Sequence, residues 1–258
     1  MPRYFIEVAY KGTNYSGFQI QKNANSIQAE IQKALKIFYK RDFELTGSSR
    51  TDAGVHALQN FFHFDVEEEL EFKSSKNLSA IHVERSIYNL NAILPLDVVI
   101  KKILLVKNEA HCRFDAVSRQ YKYFIYQNKN PFLQNNAFYF PYNLDIEKLN
   151  EAASKILMHQ DFTAFSKQNT QVNNFNCSIE KSSWYVEENK IVYDVVANRF
   201  LRGMVKGLTG TMLQVGANKI SVNDFVEIIK NCDQSKVDFS PPSHGLFLMS
   251  VKFKSDYL

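Results

Sequence analysis

Glycine is scarce in this chain, and its distribution marks four short segments. The 258 residues contain nine glycines, which is about half of the average frequency of roughly 7%. They lie at positions 12–17, 47–54, 203–216 and 245, and none occurs from Val55 to Arg202. Because glycine is favoured where the backbone needs a positive φ or approaches another group closely, these segments are the first places to look for a functional site.

Several protein classes are excluded by other absences. Cys112, Cys177 and Cys232 are odd in number and far apart, a pattern typical neither of a disulfide framework nor of a structural zinc site. The six histidines add no paired ligand spacing, so we expect no metal and reduced thiols. No apolar run reaches the roughly 20 residues of a membrane span, and the N-terminus lacks a signal-peptide core. We therefore expect a cytoplasmic protein.

The composition is that of a globular chain with a mildly basic surface. Hydrophobic residues make up 45%, 21 phenylalanines and 13 tyrosines are present, and the formal net charge is +4 with a pI near 8.8. This charge permits a polyanionic partner such as a nucleic acid but does not demand one, because a local patch matters more than the sum. Walker, Rossmann and Gly-x-Ser-x-Gly motifs are all missing from the sequence.

Hydrophobic periodicity predicts an α+β chain built from two similar halves. Alternation predicts strands near residues 4–8, 58–66, 97–106, 119–127, 178–186, 191–197 and 246–253. A 3.6-residue period predicts helices near 27–38, 78–94 and 145–158, followed by two more before the last strand, and Asn25 with Gln28 resembles a capping box. We predict helices packed on antiparallel-rich mixed sheets, in halves 1–107 and 108–258, with the boundary near Asn108 to His111.

The segment Gly47 to Ala57 contains the sharpest candidate, Asp52. A glycine-flanked bend brings the backbone close to a substrate, and Arg50 supplies a cation that favours the ionised carboxylate, which can act as a base or nucleophile. Taken alone, such an aspartate is more often a turn or N-cap residue. His56 is a candidate general acid, although a histidine beside such a turn more often serves as a hydrogen-bonding scaffold.

Two further segments carry candidate binding residues. In the strand from Arg119, alternation places Tyr121 and Tyr123 on one face, where a tyrosine beside basic residues suits stacking on an unpaired base, although strand tyrosines are common in plain cores. The stretch from Asn198 to Gly207 is predicted as a glycine-spaced helix with three cations. These cations face either a carboxylate and phosphates, or solvent around a tightly packed helix.

In their order along the chain, these segments resemble the TruA family of tRNA pseudouridine synthases. The resemblance rests on five motifs spread over nearly the whole length: Tyr10-Lys11-Gly12-Thr13 with Gly17-Phe18-Gln19-Ile20-Gln21, Arg50-Thr51-Asp52-Ala53-Gly54-Val55-His56-Ala57, Arg113-Phe114-Asp115-Ala116 before Arg119-x-Tyr121-x-Tyr123, Phe200-Leu201-Arg202-x-Met204-Val205, and Pro241-x-x-His244-Gly245-Leu246-x-Leu248.

The resemblance implies a fold, a reaction and a set of site residues. The fold would be that of pseudouridine synthases, with RNP- or ferredoxin-like halves, and the reaction the isomerisation of uridine to pseudouridine at tRNA positions 38 to 40. Asp52 would attack the flipped uridine, Tyr121 would stack on it, and Arg50 would help extrude the base or hold its phosphate. The partners implied are tRNA, through its anticodon arm, and a second copy of the chain in a homodimer. Neither a cofactor nor a metal is implied.

Four positions depart from the family pattern. Lys11 stands where the family usually has Asp, Phe18 where it has Trp, Ser49 where it has Gly, and Lys206 where it usually has an Arg that pairs with the catalytic acid. Lysine keeps the charge but loses the bidentate geometry, and by the resemblance Lys206 would still be the ion-pair partner of Asp52. Two other readings remain open, namely a non-catalytic RNA-binding protein with the same fold and, less favoured, a carboxylate-dependent hydrolase.

Overall fold

The computed structural model describes residues 1–66, 80–167 and 174–254, which form two compact units. The first comprises Met1–Val117 and Ser250–Leu258, and the second comprises Ser118–Met249. The sequence places the boundary near Asn108 to His111 and ends the second half at the C-terminus. In the structure the residues after Asn108 stay with the first unit, because the Cys112 thiol donates to the Thr46 carbonyl at 3.2 Å and Arg3 donates to the Ala110 carbonyl.

The first unit is an antiparallel sheet with two helices. Strand β1 (Arg3–Tyr10) lies between β4 (Val98–Val106) and β3 (His56–Asp65), the short β2 (Thr46–Gly47) pairs with β3, and the helices are α1 (Ile27–Tyr39) and α2 (Ala80–Ile93). Residues 78–79 of the predicted second helix lie outside the described part of the chain.

The N-terminal cap of α1 corrects one sequence prediction. The cap is Ser26, whose hydroxyl accepts from the Ala29 amide, and it replaces the predicted pair of Asn25 and Gln28. Asparagine and serine are both good caps, so the sequence alone did not choose between neighbours. The helix buries Ile27, Ile31, Ala34 and Leu35, which follow the 3.6-residue period that predicts it.

The second unit combines three helices with its own set of paired strands. Strand β8 (Lys190–Ala197) pairs antiparallel with β5 (Ala116–Tyr126) and β7 (Ile179–Glu187), while β6 (Phe138–Tyr139) pairs parallel with β5. The helices are α3 (Ile146–Ile156), α4 (Met204–Gly216) and α5 (Val222–Lys230), and β9 (Leu246–Phe253) ends the described strands. The prediction of an α+β chain with mostly antiparallel, mixed pairing is therefore confirmed.

The core of the second unit includes a contact between its strands and α4. Tyr193 stacks on Trp184 with ring centroids 4.8 Å apart, and the Trp184 indole N–H donates to the Met212 sulfur of α4. Within the described residues, no helix has both the length and the apolar composition that crossing a membrane requires.

The glycine-spaced helix starts later than the sequence predicts. Helix α4 begins at Met204 after Gly203, whose φ of +75° is left-handed, so Arg199 and Arg202 precede the helix and only Lys206 lies in it. The prediction of three cations on one helix is therefore wrong. Of the two compensations that the sequence leaves open for the helix glycines, close packing or a ligand, the structure shows close packing at Gly210, where a Cβ would lie 2.2 Å from the Asp238 carbonyl oxygen.

We expect Gly210→Ala to destabilise the protein although alanine is the better helix former. Alanine adds about 1 kcal/mol of helix propensity, but the backbone oxygen of Asp238 must move, and overpacking costs typically 1–3 kcal/mol. The net loss should be about 1 kcal/mol in the free energy of unfolding by urea denaturation. The exposed Glu151→Ala of α3 is the control and should change it by less than about 0.5 kcal/mol. An unchanged or higher midpoint for Gly210→Ala would contradict the packing argument.

Candidate functional site

The loop that carries Asp52 connects β2 to β3 and is held by the backbone on both sides. The Ser48 amide donates to the Phe61 carbonyl at 2.8 Å, the Phe18 amide to the Thr51 carbonyl at 3.1 Å, and the Gly54 amide to the Tyr15 carbonyl at 3.3 Å. Three hydrogen bonds to two other segments fix the path of this irregular loop, which is a condition for positioning a reacting group.

Two glycines let the loop close around Asp52. Gly54 has a φ of +77°, and the turn there brings the Val55 amide to the Asp52 carbonyl at 3.2 Å. Gly12 packs against the backbone of Gly54 and Val55, where a Cβ on Gly12 would lie 2.0 Å from the Val55 carbonyl oxygen. The sequence prediction that scarce glycines mark a positive φ or a close backbone approach is confirmed, by the φ of Gly54 and by the packing of Gly12.

A buried polar network of Tyr10 and Asn60 supports the loop. The Tyr10 hydroxyl lies 2.7 Å from the Thr51 hydroxyl and accepts from the Asn60 amide at 3.1 Å, and the same Asn60 amide donates to the Ser49 carbonyl at 2.9 Å. Burial raises the pKa of Tyr10 well above its ordinary value, so this hydroxyl stays protonated. The network ties the residue before Asp52 to the strands β1 and β3.

We expect Tyr10→Phe to destabilise the protein by about 1–3 kcal/mol. The substitution keeps the ring but leaves the buried Thr51 hydroxyl and the Asn60 amide without one partner each, and unsatisfied buried groups cost about this amount. Urea unfolding measures the loss, and the exposed Tyr88→Phe, at 74% exposure, is the matched control. Equal stability of the two variants would show that the network does not support the loop.

His56 follows the loop as the first residue of β3 and is 1% exposed. Its Nδ1 accepts from the Gly12 amide at 3.0 Å, so that nitrogen carries no proton. This contact joins the glycine-marked segment 12–17 to the start of β3, directly after the segment 47–54. It favours the scaffold interpretation of His56 over that of a general acid.

Asp52 and Arg50 present their side chains differently. Asp52 is half-buried and Arg50 is exposed. Arg50 lines a small pocket together with Gly47 of the same loop and Phe18 of the first glycine-marked segment. The Phe18 ring stacks on the Phe62 ring, with centroids 4.3 Å apart and an interplanar angle of 9°. The phenylalanine at this position therefore packs as part of the core beneath the loop.

Tyr121, in the second unit, is held on β5 with its ring against Phe200. It is 9% exposed, pairs with Val195 of β8, and meets the Phe200 ring edge-on with centroids 5.1 Å apart. The neighbouring candidate Tyr123 is fully buried, and its hydroxyl donates to the Pro242 carbonyl at 2.7 Å. Of the two tyrosines on this face, Tyr123 is therefore a core residue.

Lys206 is the third residue of α4. Its ammonium donates to the Ser243 hydroxyl at 3.4 Å. Burial, together with the nearby Lys206 cation, lowers the pKa of His244 below its ordinary value, so that this histidine is neutral near pH 7. A lysine in the first turn adds to the positive end of the helix dipole, an arrangement that costs stability unless an anion is close.

The candidate residues thus fall in two sets, Arg50 and Asp52 in the first unit and Tyr121 and Lys206 in the second. Sequence reasoning gave no role to the turn His111 to Phe114, which also lines the pocket beside Arg50. The available signal was the motif beginning at Arg113, together with an exposed phenylalanine. Its proximity to Arg50 is a tertiary feature that spacing does not reveal.

Comparisons with known proteins agree over almost the whole chain. A family model described as tRNA pseudouridine synthase matches residues 6–115 and 152–254. A tRNA pseudouridine synthase A of Bacteroides fragilis is 42% identical over 255 residues, which cover 98% of this chain and 97% of the relative. Proteins with the same description are 40% identical in Azobacteroides pseudotrichonymphae, over 98% and 97% of the two chains, and 32% identical in Staphylococcus aureus, over 96% and 90%.

Proposed function

Because this chain belongs to the tRNA pseudouridine synthase family, we propose that it converts uridine to pseudouridine at positions 38 to 40 in the anticodon stem-loop of tRNA. The reaction breaks the bond from ribose C1′ to uracil N1 and forms one from C1′ to C5, while a proton leaves C5 and one is gained at N1. Atoms and electrons balance within the substrate, so the reaction requires no external oxidant or reductant.

Asp52 carries the proposal, as the carboxylate that attacks the target uridine. The supporting observation is the unaltered run Arg50-Thr51-Asp52 on a loop whose backbone is fixed by hydrogen bonds to Phe18, Tyr15 and Phe61. A held carboxylate gives covalent or electrostatic assistance without rearranging at each turnover. Half-burial of Asp52 leaves it accessible while limiting the water around it.

The uridine must leave the stacked helix before its glycosidic bond can rearrange, because the reacting atoms of a stacked base are inaccessible. Tyr121 is proposed to stack on the extruded uracil. Its ring orientation is fixed by the edge-on contact with Phe200, and base stacking on an aromatic ring contributes about 1–3 kcal/mol. The exposed guanidinium of Arg50, two residues before Asp52, is proposed to help extrude the base or hold its phosphate.

Lys206 is proposed as the cation that pairs with the Asp52 carboxylate. Its place in the first turn of α4 adds a side-chain charge to the partial positive charge of the helix N-terminus, and together they form an environment for an anion. We further propose that the two units have RNP- or ferredoxin-like folds, that the protein acts in the cytoplasm, and that it works as a homodimer binding tRNA.

One assay distinguishes this function from the other candidates. Purified protein is incubated with a uridine-containing anticodon-arm tRNA, and pseudouridine is mapped by carbodiimide modification. Formation of pseudouridine at positions 38 to 40 supports the proposal. Tight binding without product would instead identify a non-catalytic RNA-binding protein, which the names of the relatives do not favour, and fragment release would identify a hydrolase. Light scattering tests the homodimer, which a monomer at working concentration would contradict.

A further inference from the structure

A pocket of about 150 Å³ opens in the first unit beside the loop that carries Asp52. Four separate stretches of chain supply its walls. The lining residues are Phe18, Gln19, Gln28, Leu45, Thr46, Gly47, Arg50, His111, Arg113 and Phe114.

The size and charge of the pocket limit what it can hold. Its volume is below the roughly 300 Å³ of the smallest ordinary ligand pockets and equals the space of about five water molecules. It therefore suits one part of a larger ligand rather than a whole cofactor. Two arginines and no carboxylate line it, so the part that enters should include an anion such as a phosphodiester.

A rigid turn forms one wall. The His111 Nδ1 accepts from the amides of Arg113 and Phe114 at 3.1 and 3.3 Å, and the His111 amide donates to the Asp115 carboxylate at 2.6 Å. Burial, and then the Arg3 cation, lower the pKa of His111, so the ring is neutral at pH 7 and keeps this acceptor role. The turn therefore holds its shape without a ligand.

Phe114 is presented on this turn as an open aromatic platform. Its ring centroid lies 4.2 Å from that of His111 at 35°, and the Arg113 guanidinium carbon lies 5.6 Å from its centroid. The side chain is nevertheless 74% exposed. A single exposed phenylalanine is ordinary. This one, however, packs against the His111 ring and lines a pocket that also contains two arginines.

The other wall belongs to the loop of Asp52 itself. Gly47 and Arg50 line the pocket, and the Cys112 thiol donates to the Thr46 carbonyl at 3.2 Å, which links this wall to the turn. Arg50 and Asp52 are two residues apart, and two residues span at most about 7 Å. A nucleotide in the pocket would therefore be a near neighbour of a uridine at Asp52.

We propose that the pocket binds a nucleotide directly flanking the target uridine, with its phosphate between Arg50 and Arg113 and its base stacked on Phe114. Extrusion of the target removes a stacking partner from its neighbours, and Phe114 replaces that partner. This inference rests on the proposed function, since a uridine at Asp52 is what brings its neighbour to the pocket. Arg113 and Phe114 are thus assigned to substrate positioning.

The protein side of the test compares two equally exposed aromatic residues of the first unit. We expect Phe114→Ala to weaken binding of an anticodon-arm RNA about tenfold, as loss of one stacked base predicts, while Tyr88→Ala, also at 74% exposure, changes it less than twofold. Both are measured by fluorescence anisotropy at one stated salt concentration. An Asp52→Asn background keeps the RNA unchanged during the titration.

The RNA side uses arms with an abasic nucleotide immediately 5′ or 3′ of the target. One of the two should bind about tenfold more weakly than the intact arm, and Phe114→Ala should add almost nothing to that loss, because both changes remove the same contact. If Phe114→Ala weakens the intact and both abasic arms by the same factor, or weakens none, the proposal is overturned.

The salt dependence of RNA binding by an Arg113 variant tests the phosphate contact independently. Arg113→Gln should reduce the slope of log affinity against log salt by about 0.7, the value for one phosphate contact on a single strand. Arg41→Gln is the matched control, since its guanidinium carbon also lies near a phenylalanine ring, 5.2 Å from that of Phe43. Equal slopes for the two variants would remove the phosphate contact. Failure of the proposed function is distinct from all these outcomes, because the wild-type protein would then form no pseudouridine.

Discussion

Asp52→Asn is expected to lower pseudouridine formation by at least about 10⁴-fold while tRNA affinity stays within about threefold of wild type. The amide has nearly the size of the carboxylate but cannot act as a base or nucleophile, and loss of a nucleophile costs this much or more in other enzymes. Binding should stay equal or become slightly tighter, because a negative charge facing a phosphate backbone is removed. Single-turnover assays with carbodiimide mapping measure the rate, and anisotropy measures the affinity.

Two controls separate this result from loss of folding. Asp42→Asn changes an exposed aspartate that pairs with Lys36 at 2.7 Å and should keep wild-type rates. The path of the loop is fixed by backbone groups of its own residues, as in the hydrogen bond from the Val55 amide to the Asp52 carbonyl, so Asp52→Asn should remain folded, as a cooperative urea transition would show. A rate within tenfold of wild type in a folded Asp52→Asn variant would remove the carboxylate from the mechanism.

The regular elements were predictable because their signals are local. Helix α1 and the strands β7 and β8 follow from periodicity, and the polar turn between these strands contains Glu188 at a φ of +53°. Boundaries were less certain where two residues offer the same local chemistry. Ser26 rather than Asn25 caps α1, and Gly203 has a left-handed φ at the N-cap of α4 although its spacing from Gly207 and Gly210 suits a helix.

Features that depend on distant segments were not predictable from spacing. The support of the Asp52 loop by Tyr10 and Asn60 joins residues about 40 to 50 positions apart. The pocket beside Arg50 joins four stretches. The glycine-marked ones and the motif beginning at Arg113 carried a sequence signal, but their spacing does not indicate that they meet. The candidate site residues themselves came from the motif resemblance, since an aspartate between two glycines does not by its pattern alone differ from a turn residue.

Lys206→Ala is expected to lose most activity, about 100-fold, whereas Lys206→Arg retains it. The alanine variant removes the cation proposed to pair with the catalytic carboxylate, and a lost charge-stabilising donor costs about 10²–10³ in rate. Arginine restores the charge and adds a forked geometry that suits a carboxylate. Lys230→Ala, at an exposed lysine on α5, should leave the rate unchanged. Equal activity of wild type, Lys206→Ala and Lys206→Arg would exclude this role.

Stability distinguishes a functional lysine from a structural one. Lys206 places a positive charge in the first turn of α4, where the helix dipole opposes it by about 0.3–1 kcal/mol, and its described side-chain hydrogen bond to Ser243 is long at 3.4 Å. Loss of the proposed pair with the Asp52 carboxylate offsets this relief, so Lys206→Ala should change the urea midpoint little while the rate falls. A structural lysine would show the reverse, with lower stability and a smaller effect on rate. A variant that keeps its stability and loses catalysis would mark Lys206 as a residue kept for an anion, and Lys206→Arg should recover the rate without exceeding wild-type stability.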